Sequence, residues 1–253
     1  MGTARLIARL DVKAPNLVKG IRLEGLRVMG DPHAFARRYY ADGVDEILYI
    51  DIVASLYRRN NLLELVRRTA EDVFVPMTVG GGLRSLEDVK NALRSGADKV
   101  AINTAAIRNP DLVRAVAEAF GSQCMVVSIE TKRTGPDRWE AYTDNGREQT
   151  GVDALEWAER AVELGAGEIL LTSVDREGTE KGFDLQFLER IARAVTVPVI
   201  ASGGAGSPEH IREAFAAGAD AAAVASILHY GKSGVGAIKA HLAAADILVR
   251  TSA

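Results

Sequence analysis

Two acidic residues stand at matching ends of two apolar runs. Asp11 lies at the end of LIARLDV (6–12) and Glu130 at the end of CMVVSIE (124–130). ARLDVK (8–13) falls on VSIETK (127–132), so the two acids occupy equivalent places. Paired carboxylates on opposite sides of one site form a natural general acid and base. Singly, either could cap a loop or pair with a lysine; their equivalence favours chemistry.

Two other runs end in glycines, VPMTVGGGLR (75–84) and VPVIASGGAG (197–206). At Gly81-Gly82 and Gly203-Gly204 the backbone N–H groups can approach an anion, and a following helix N-terminus adds a favourable dipole. The next runs end in Asn103-Thr104 and Ala225-Ser226. Two such sites imply a substrate with a phosphate at each end. At the opposite ends of the runs lie Arg5, Glu46, Lys99 and Glu168. Two acids and two bases there predict a ring of salt bridges, read from physics alone as a structural plug.

These residues need a scaffold, and the chain describes one by repeating itself. At an offset of 122 residues Pro76 meets Pro198, Ser85 meets Ser207, and Gly96-Ala97-Asp98 meets Gly218-Ala219-Asp220. GVDEILYID (43–51) falls on GAGEILLTS (165–173) at the same offset. Eight β-rich runs alternate with helical patterns. Several helices carry start signals: Asp31-Pro32, Ser85 and Ser207-Pro208. Continuous apolar strands alternating with helices imply a covered parallel sheet. The expected fold is α/β, a single (β/α)8 TIM barrel over residues 1–253, built from duplicated half-barrels of about 1–122 and 123–253. A doubly wound open sheet is the alternative. After the fifth strand, WEAYT-DNG-REQT predicts a hairpin turning at Asp-Asn-Gly. In a barrel, both acids and both glycine pairs would gather at the C-terminal mouth, where active sites sit.

The 253 residues are 47% hydrophobic and 26% charged, as in an ordinary globular chain. A net charge of −3 without a run of like charge argues against nucleic-acid binding by bulk electrostatics. Cys124 is the sole cysteine, which excludes an intrachain disulfide or a cysteine zinc cluster. His33, His210, His229 and His241 are scattered without metal-ligand spacing. No metal, organic cofactor, signal peptide or membrane span is indicated, and a cytoplasmic location is expected.

With those residues placed, the chain resembles the HisF family, the cyclase subunits of imidazole glycerol phosphate synthase. The resemblance rests on LDVK (10–13), VKG (18–20), VGGG (79–82), GADKVAINTAA (96–106), GAGEILLTSVDREGT (165–179) and ASGGAG (201–206), and runs over essentially the whole chain. It implies a partner, a HisH-like class I glutaminase docked at the barrel bottom, and ammonia passed along the barrel axis. At the mouth, ammonia would attack a bis-phosphorylated aminoimidazole carboxamide ribonucleotide. Cleavage and ring closure would give imidazole glycerol phosphate, for histidine biosynthesis, and aminoimidazole carboxamide ribonucleotide.

By the same resemblance Asp11 matches the catalytic base, and Lys19 a lysine on the mobile loop after the first strand. Asp51, Thr172 and Ser202 line the mouth. Gly81, Gly82, Asn103 and Thr104 match one phosphate site; Glu177, Gly178, Gly203, Gly204, Ala225 and Ser226 match the other. Arg5, Glu46, Lys99 and Glu168 match an ammonia gate, in place of a plug, and Asp98 a residue that meets the glutaminase.

Some positions depart from the family pattern. Glu130 stands where the family has aspartate, and Arg9 where it usually has cysteine. Arg9 lies two residues before Asp11, so it shares the inward face and the ammonia path. Pairing with Asp11 or Glu130 would lower that carboxylate's pKa. Glu177 replaces an aspartate, and Leu23 and Val28 replace a common Phe and Asp in the first loop. Gate and phosphate sites are kept while the proton-transfer groups change. Two readings follow: a histidine-pathway cyclase that tolerates Glu130, or a paralogue channelling ammonia for amidino groups on bacterial surface sugars. A free-standing phosphosugar isomerase is a third class, with no reason to keep the gate.

Overall fold

A computed structural model describes residues 2–53 and 62–250. The strands in chain order are β1 (Arg5–Lys13), β2 (Asn16–Ile21), β3 (Glu24–Gly30) and β4 (Glu46–Asp51). Then come β5 (Met77–Gly80), β6 (Lys99–Ile102), β7 (Met125–Gly135), β8 (Arg138–Thr143) and β9 (Glu148–Asp153). The last are β10 (Glu168–Ser173), β11 (Val199–Ser202) and β12 (Ala221–Val224). Helices in the first half are α1 (Pro32–Ala41), α2 (Leu62–Asp72), α3 (Leu86–Arg94), α4 (Thr104–Arg108) and α5 (Asp111–Phe120). The second half has α6 (Ala154–Glu163), α7 (Leu185–Ala194), α8 (Pro208–Ala216), α9 (Ser226–His229) and α10 (Val235–Ala244).

Eight strands pair in parallel in the order β1-β4-β5-β6-β7-β10-β11-β12, and β12 returns to β1. The β7–β10 pairing closes the cylinder, which excludes the open doubly wound sheet. Side chains alternate between its two faces. Leu6, Ala8 and Leu10 face outward into the main core with the helices, whereas Ile7, Leu48, Val126, Leu170 and Ile200 fill the barrel interior. Both faces are covered, so the barrel strands are mostly apolar, with buried polar side chains such as Arg9, Asp11 and Glu130 admitted at inward positions.

Short polar devices set where strands and helices begin. Asp45, Asp98 and Asp220 each precede a strand and accept the backbone N–H at the start of its neighbour. The donors are Leu6 at 2.8 Å, Met77 at 2.8 Å and Val199 at 2.9 Å. Ser85 and Ser207 cap α3 and α8 through the N–H groups of Asp88 and His210, and Asp31 caps α1.

Two antiparallel hairpins rise from the mouth. The predicted one is formed by β8 and β9 beyond the long β7, and turns through Asp144, Asn145 and Gly146, all with positive φ. The segment read only as the first loop is also a hairpin, β2–β3, turning at Arg22 and Leu23 with φ of 52° and 64°. Among the described residues no helix is long and apolar enough to cross a membrane.

Candidate active site

Alternation along β1 sends Arg5, Ile7, Arg9 and Asp11 inward at successive heights, so one strand samples the whole axis. At the strand-start end, Arg5 Nη1 lies 2.5 Å from Glu46 Oε1 and 3.0 Å from Glu168 Oε1. Lys99 Nζ lies 3.2 Å from Glu46 Oε2 and 3.0 Å from Glu168 Oε1. The four predicted charges therefore form one ring of alternating sign. Above it lies the apolar interior layer, then Arg9, then the mouth.

Asp11 on β1 and Glu130 on β7 stand four strands apart in either direction around the barrel, so they face each other across the mouth. Their environments push their protons apart. Burial alone would raise Asp11, but the Arg9 and Lys19 charges and the Arg9 hydrogen bond hold it below the usual carboxylate range. Arg9 Nε donates to Asp11 Oδ1 at 2.9 Å, and Lys19 Nζ lies 3.5 Å from Oδ2. Glu130 receives no hydrogen bond from Arg9. Burial pushes its carboxyl up to about 7, against the lowering effect of the Arg9 charge and the Gly146 amide, which donates to Oε2 at 2.8 Å. The sequence left open which acid Arg9 would pair with. It pairs with Asp11, which ends below its ordinary value, whereas at Glu130 burial outweighs the lowering by the Arg9 charge. Divergent carboxyl pKa values are the pattern of an acid–base pair.

The two glycine ends differ. Gly81 and Gly203 have φ of 92° and 94°, and a side chain on either would meet a carbonyl oxygen, of Asp51 or of Ser173. The first end opens into a cavity of about 270 Å³ lined by Asp51, Gly81, Gly82, Asn103, Thr104 and Glu130. Asp51 Oδ1 accepts the Val53 N–H at 3.0 Å. Asn103 Nδ2 donates to the Tyr142 carbonyl at 3.0 Å, and Thr104 Oγ1 accepts the Asp144 N–H at 3.1 Å, so this wall is tied to the second hairpin. At the other end Gly178, Ser202, Gly203, Gly204, Ala225 and Ser226 surround only about 10 Å³. Glu177, 3% exposed, lines it with them.

Lys19 stands on β2, 2% exposed, and pairs with Glu177. Burial works against its charge, but Glu177 and Asp11 outweigh that and raise its pKa. The first hairpin is latched over this end, since Arg22 N–H donates to the Glu177 carbonyl at 2.7 Å. Thr172 and Ser202 do line the mouth, and both hydroxyls accept from Arg9 Nη1, at 3.1 and 3.0 Å. Asp98 lies at the strand-start end with its carboxylate on Met77.

One participant escapes sequence reading, and one histidine packs beside the site. The Gly146 amide touches Glu130 only because the Asp-Asn-Gly turn folds back over the mouth; the turn signal was visible, its destination was not. His229, 7% exposed, stacks on Tyr39 and bonds its hydroxyl through Nδ1 at 2.6 Å. Burial and the Lys19 charge push its pKa down to about 4.

Known proteins resemble this chain over most of its length. The family model described as histidine biosynthesis protein matches residues 5–233. A Legionella pneumophila imidazole glycerol phosphate synthase subunit HisF is 61% identical over 209 residues, covering 83% of this chain and 99% of that protein. The Myxococcus xanthus subunit HisF is 56% identical over 252 residues, 99% of each chain. The Thermococcus onnurineus subunit HisF is 52% identical over 246 residues, 97% of each chain. Likeness of this extent, on a closed barrel with these residues at its two ends, places the chain in the HisF family of imidazole glycerol phosphate synthase subunits.

Proposed function

We propose that the chain is the ammonia-dependent cyclase subunit of an imidazole glycerol phosphate synthase, acting in histidine biosynthesis. A glutaminase docks at the strand-start end, near Asp98, and ammonia passes the Arg5–Glu46–Lys99–Glu168 ring and climbs the barrel interior. The bis-phosphorylated aminoimidazole carboxamide ribonucleotide spans the mouth. One phosphate is held at Gly81, Gly82, Asn103 and Thr104, the other at the end lined by Glu177, Gly178, Gly203, Gly204, Ala225 and Ser226. Lys19 and Asp51 flank the substrate.

The observation that carries this reading is geometric: two buried carboxyls, Asp11 on β1 and Glu130 on β7, face each other across the mouth, one held by Arg9 and the other by the Gly146 amide. Ionised Asp11 can accept a proton from the attacking nitrogen, and protonated Glu130 can deliver one to the departing group. Cleavage and ring closure then proceed between them. The reading goes with a cytoplasmic location and with no nucleic-acid partner. It also goes with half-barrels of about 1–122 and 123–253 that arose by duplication. Asn103 and Ala225, equivalent under that duplication, share an unusual backbone, with φ/ψ of −113°/−84° and −130°/−76°.

Purified protein with excess ammonium salt at about pH 8.5 and the ribonucleotide tests it, with substrate loss followed by absorbance. Turnover of about one per second or more supports the cyclase. Binding without turnover would sink it and favour the amidino-sugar paralogue, whose substrate would then be sought among amidated sugars.

A further inference from the structure

Arg9 is 3% exposed and bonded on three sides. Nε donates to Asp11 Oδ1 at 2.9 Å, and Nη1 donates to Thr172 Oγ1 at 3.1 Å and Ser202 Oγ at 3.0 Å. Thr172 and Ser202 are register partners at the ends of β10 and β11. The guanidinium therefore leaves β1, reaches through the barrel interior and grips the ends of β11 and β10, two and three strands round from β1. It also lies against the Gly203–Gly204 end of the mouth.

The charged groups around it come from four other elements besides β1. Asp11 stands on its own strand, Lys19 on β2, Glu130 on β7, Glu177 beyond β10 and His229 on α9. Asp11, Glu177 and Glu130 favour its charge, and Arg9 and Lys19 repel one another. Burying a guanidinium is expensive unless its geometry is well satisfied. A planar fork with several fixed donors suits a clamp better than a point charge does.

We propose that Arg9 is a positioning residue of the mouth, clamping the Asp11 carboxylate to the ends of β10 and β11 through Thr172 and Ser202. The proposal rests on the reading of Asp11 as the base. Thr172 and Ser202 are then anchors of Arg9 rather than substrate ligands. A phosphate seated against Gly203 and Gly204 lies beside the guanidinium, so loading of that end is felt at Asp11. Without Arg9, Asp11 keeps Lys19 at 3.5 Å as its remaining ion-pair partner, carried on a hairpin.

The test follows the Asp11 carboxyl by carbon-13 NMR titration of ligand-free protein, alongside the pH dependence of kcat/KM expressed per free ammonia. Wild type, Arg9→Met, Arg9→Lys and Thr172→Val/Ser202→Ala are compared. In Arg9→Met the proton affinity of Asp11 rises about tenfold or more. The acidic limb moves up with it, and kcat falls about a hundredfold while KM changes little. Arg9→Lys restores most of the titration but little of kcat. Thr172→Val/Ser202→Ala leaves the titration near wild type and still lowers kcat, because the charge stays and its anchors go. An unmoved Asp11 titration and acidic limb in Arg9→Met overturns the proposal. If that variant does not fold, unchanged kcat in Thr172→Val/Ser202→Ala overturns it. Asp11 titrating as expected in proteins that never turn over, wild type included, supports the clamp and sinks the cyclase reading.

Discussion

The Gly146 amide donates to Glu130 Oε2 at 2.8 Å, so the turn of the second hairpin is fastened to the candidate acid. An aspartate would stop one carbon–carbon bond short of that amide. Glu130→Asp is therefore expected to lose the bond and to set the carboxyl back from the substrate. The expected cost is about a hundredfold in the chemical step with binding retained, since a misplacement of about an ångström has that effect. Single-turnover kinetics at saturating substrate checks it; unchanged turnover would mean the hairpin does not locate the acid.

The same carboxyl makes stability depend on pH. Its folded value, about 7, lies above the ordinary 4.5, so its contribution is whole below the ordinary value and is lost as pH rises through about 7. A shift of that size corresponds to about 3 kcal/mol. Asp11 works in the opposite sense, contributing above its ordinary value and losing that contribution as pH falls below it. Glu130→Gln should therefore flatten the decline in Tm between about pH 5 and 8. At about 2–4 °C per kcal/mol the difference is several degrees at the alkaline end. Parallel Tm–pH curves for variant and wild type would remove Glu130 as the titrating group.

The eight barrel strands were legible because each is a short apolar run between punctuated helices. The site's two ends were legible because the chain states them twice. The first hairpin was not. Its turn residues Arg22 and Leu23 adopt positive φ, a region favoured by Gly, Asn and Asp, so no turn signal marks it. Leu23, 3% exposed, is held there by tertiary packing. The direction of Glu130's pKa was equally hidden. Arg9 was visible, but its preference for Asp11, Thr172 and Ser202 depends on which residues adjoin across the barrel, and that is long-range geometry.

That first hairpin can be unseated from a distance. Gly178 has a φ of 69°, and a Cβ there would overlap the Gly20 carbonyl oxygen of β2. Gly178→Ala adds backbone strain of about 1–2 kcal/mol and pushes the hairpin away. Arg22, whose amide is latched to Glu177, should then be cut faster by trypsin, and ribonucleotide turnover should fall about tenfold as Lys19 leaves the mouth. An Arg22 cleavage rate equal to wild type would show that the hairpin is seated by other contacts.

Asp98 and Asp220 separate architecture from partnership. Each carboxylate accepts the first amide of the preceding barrel strand, Met77 at 2.8 Å and Val199 at 2.9 Å. Asp98→Ala and Asp220→Ala both leave such an amide unpaired, so each should destabilise the fold by about 1–3 kcal/mol. The proposed glutaminase contact adds a second effect to Asp98 alone. Asp98→Ala should weaken association with the glutaminase about tenfold or more, whereas Asp220→Ala should leave it intact, as read by titration calorimetry on the folded variants. Equal stability losses with equal affinity would assign Asp98 to the strand junction and move the docking contact elsewhere on the strand-start face.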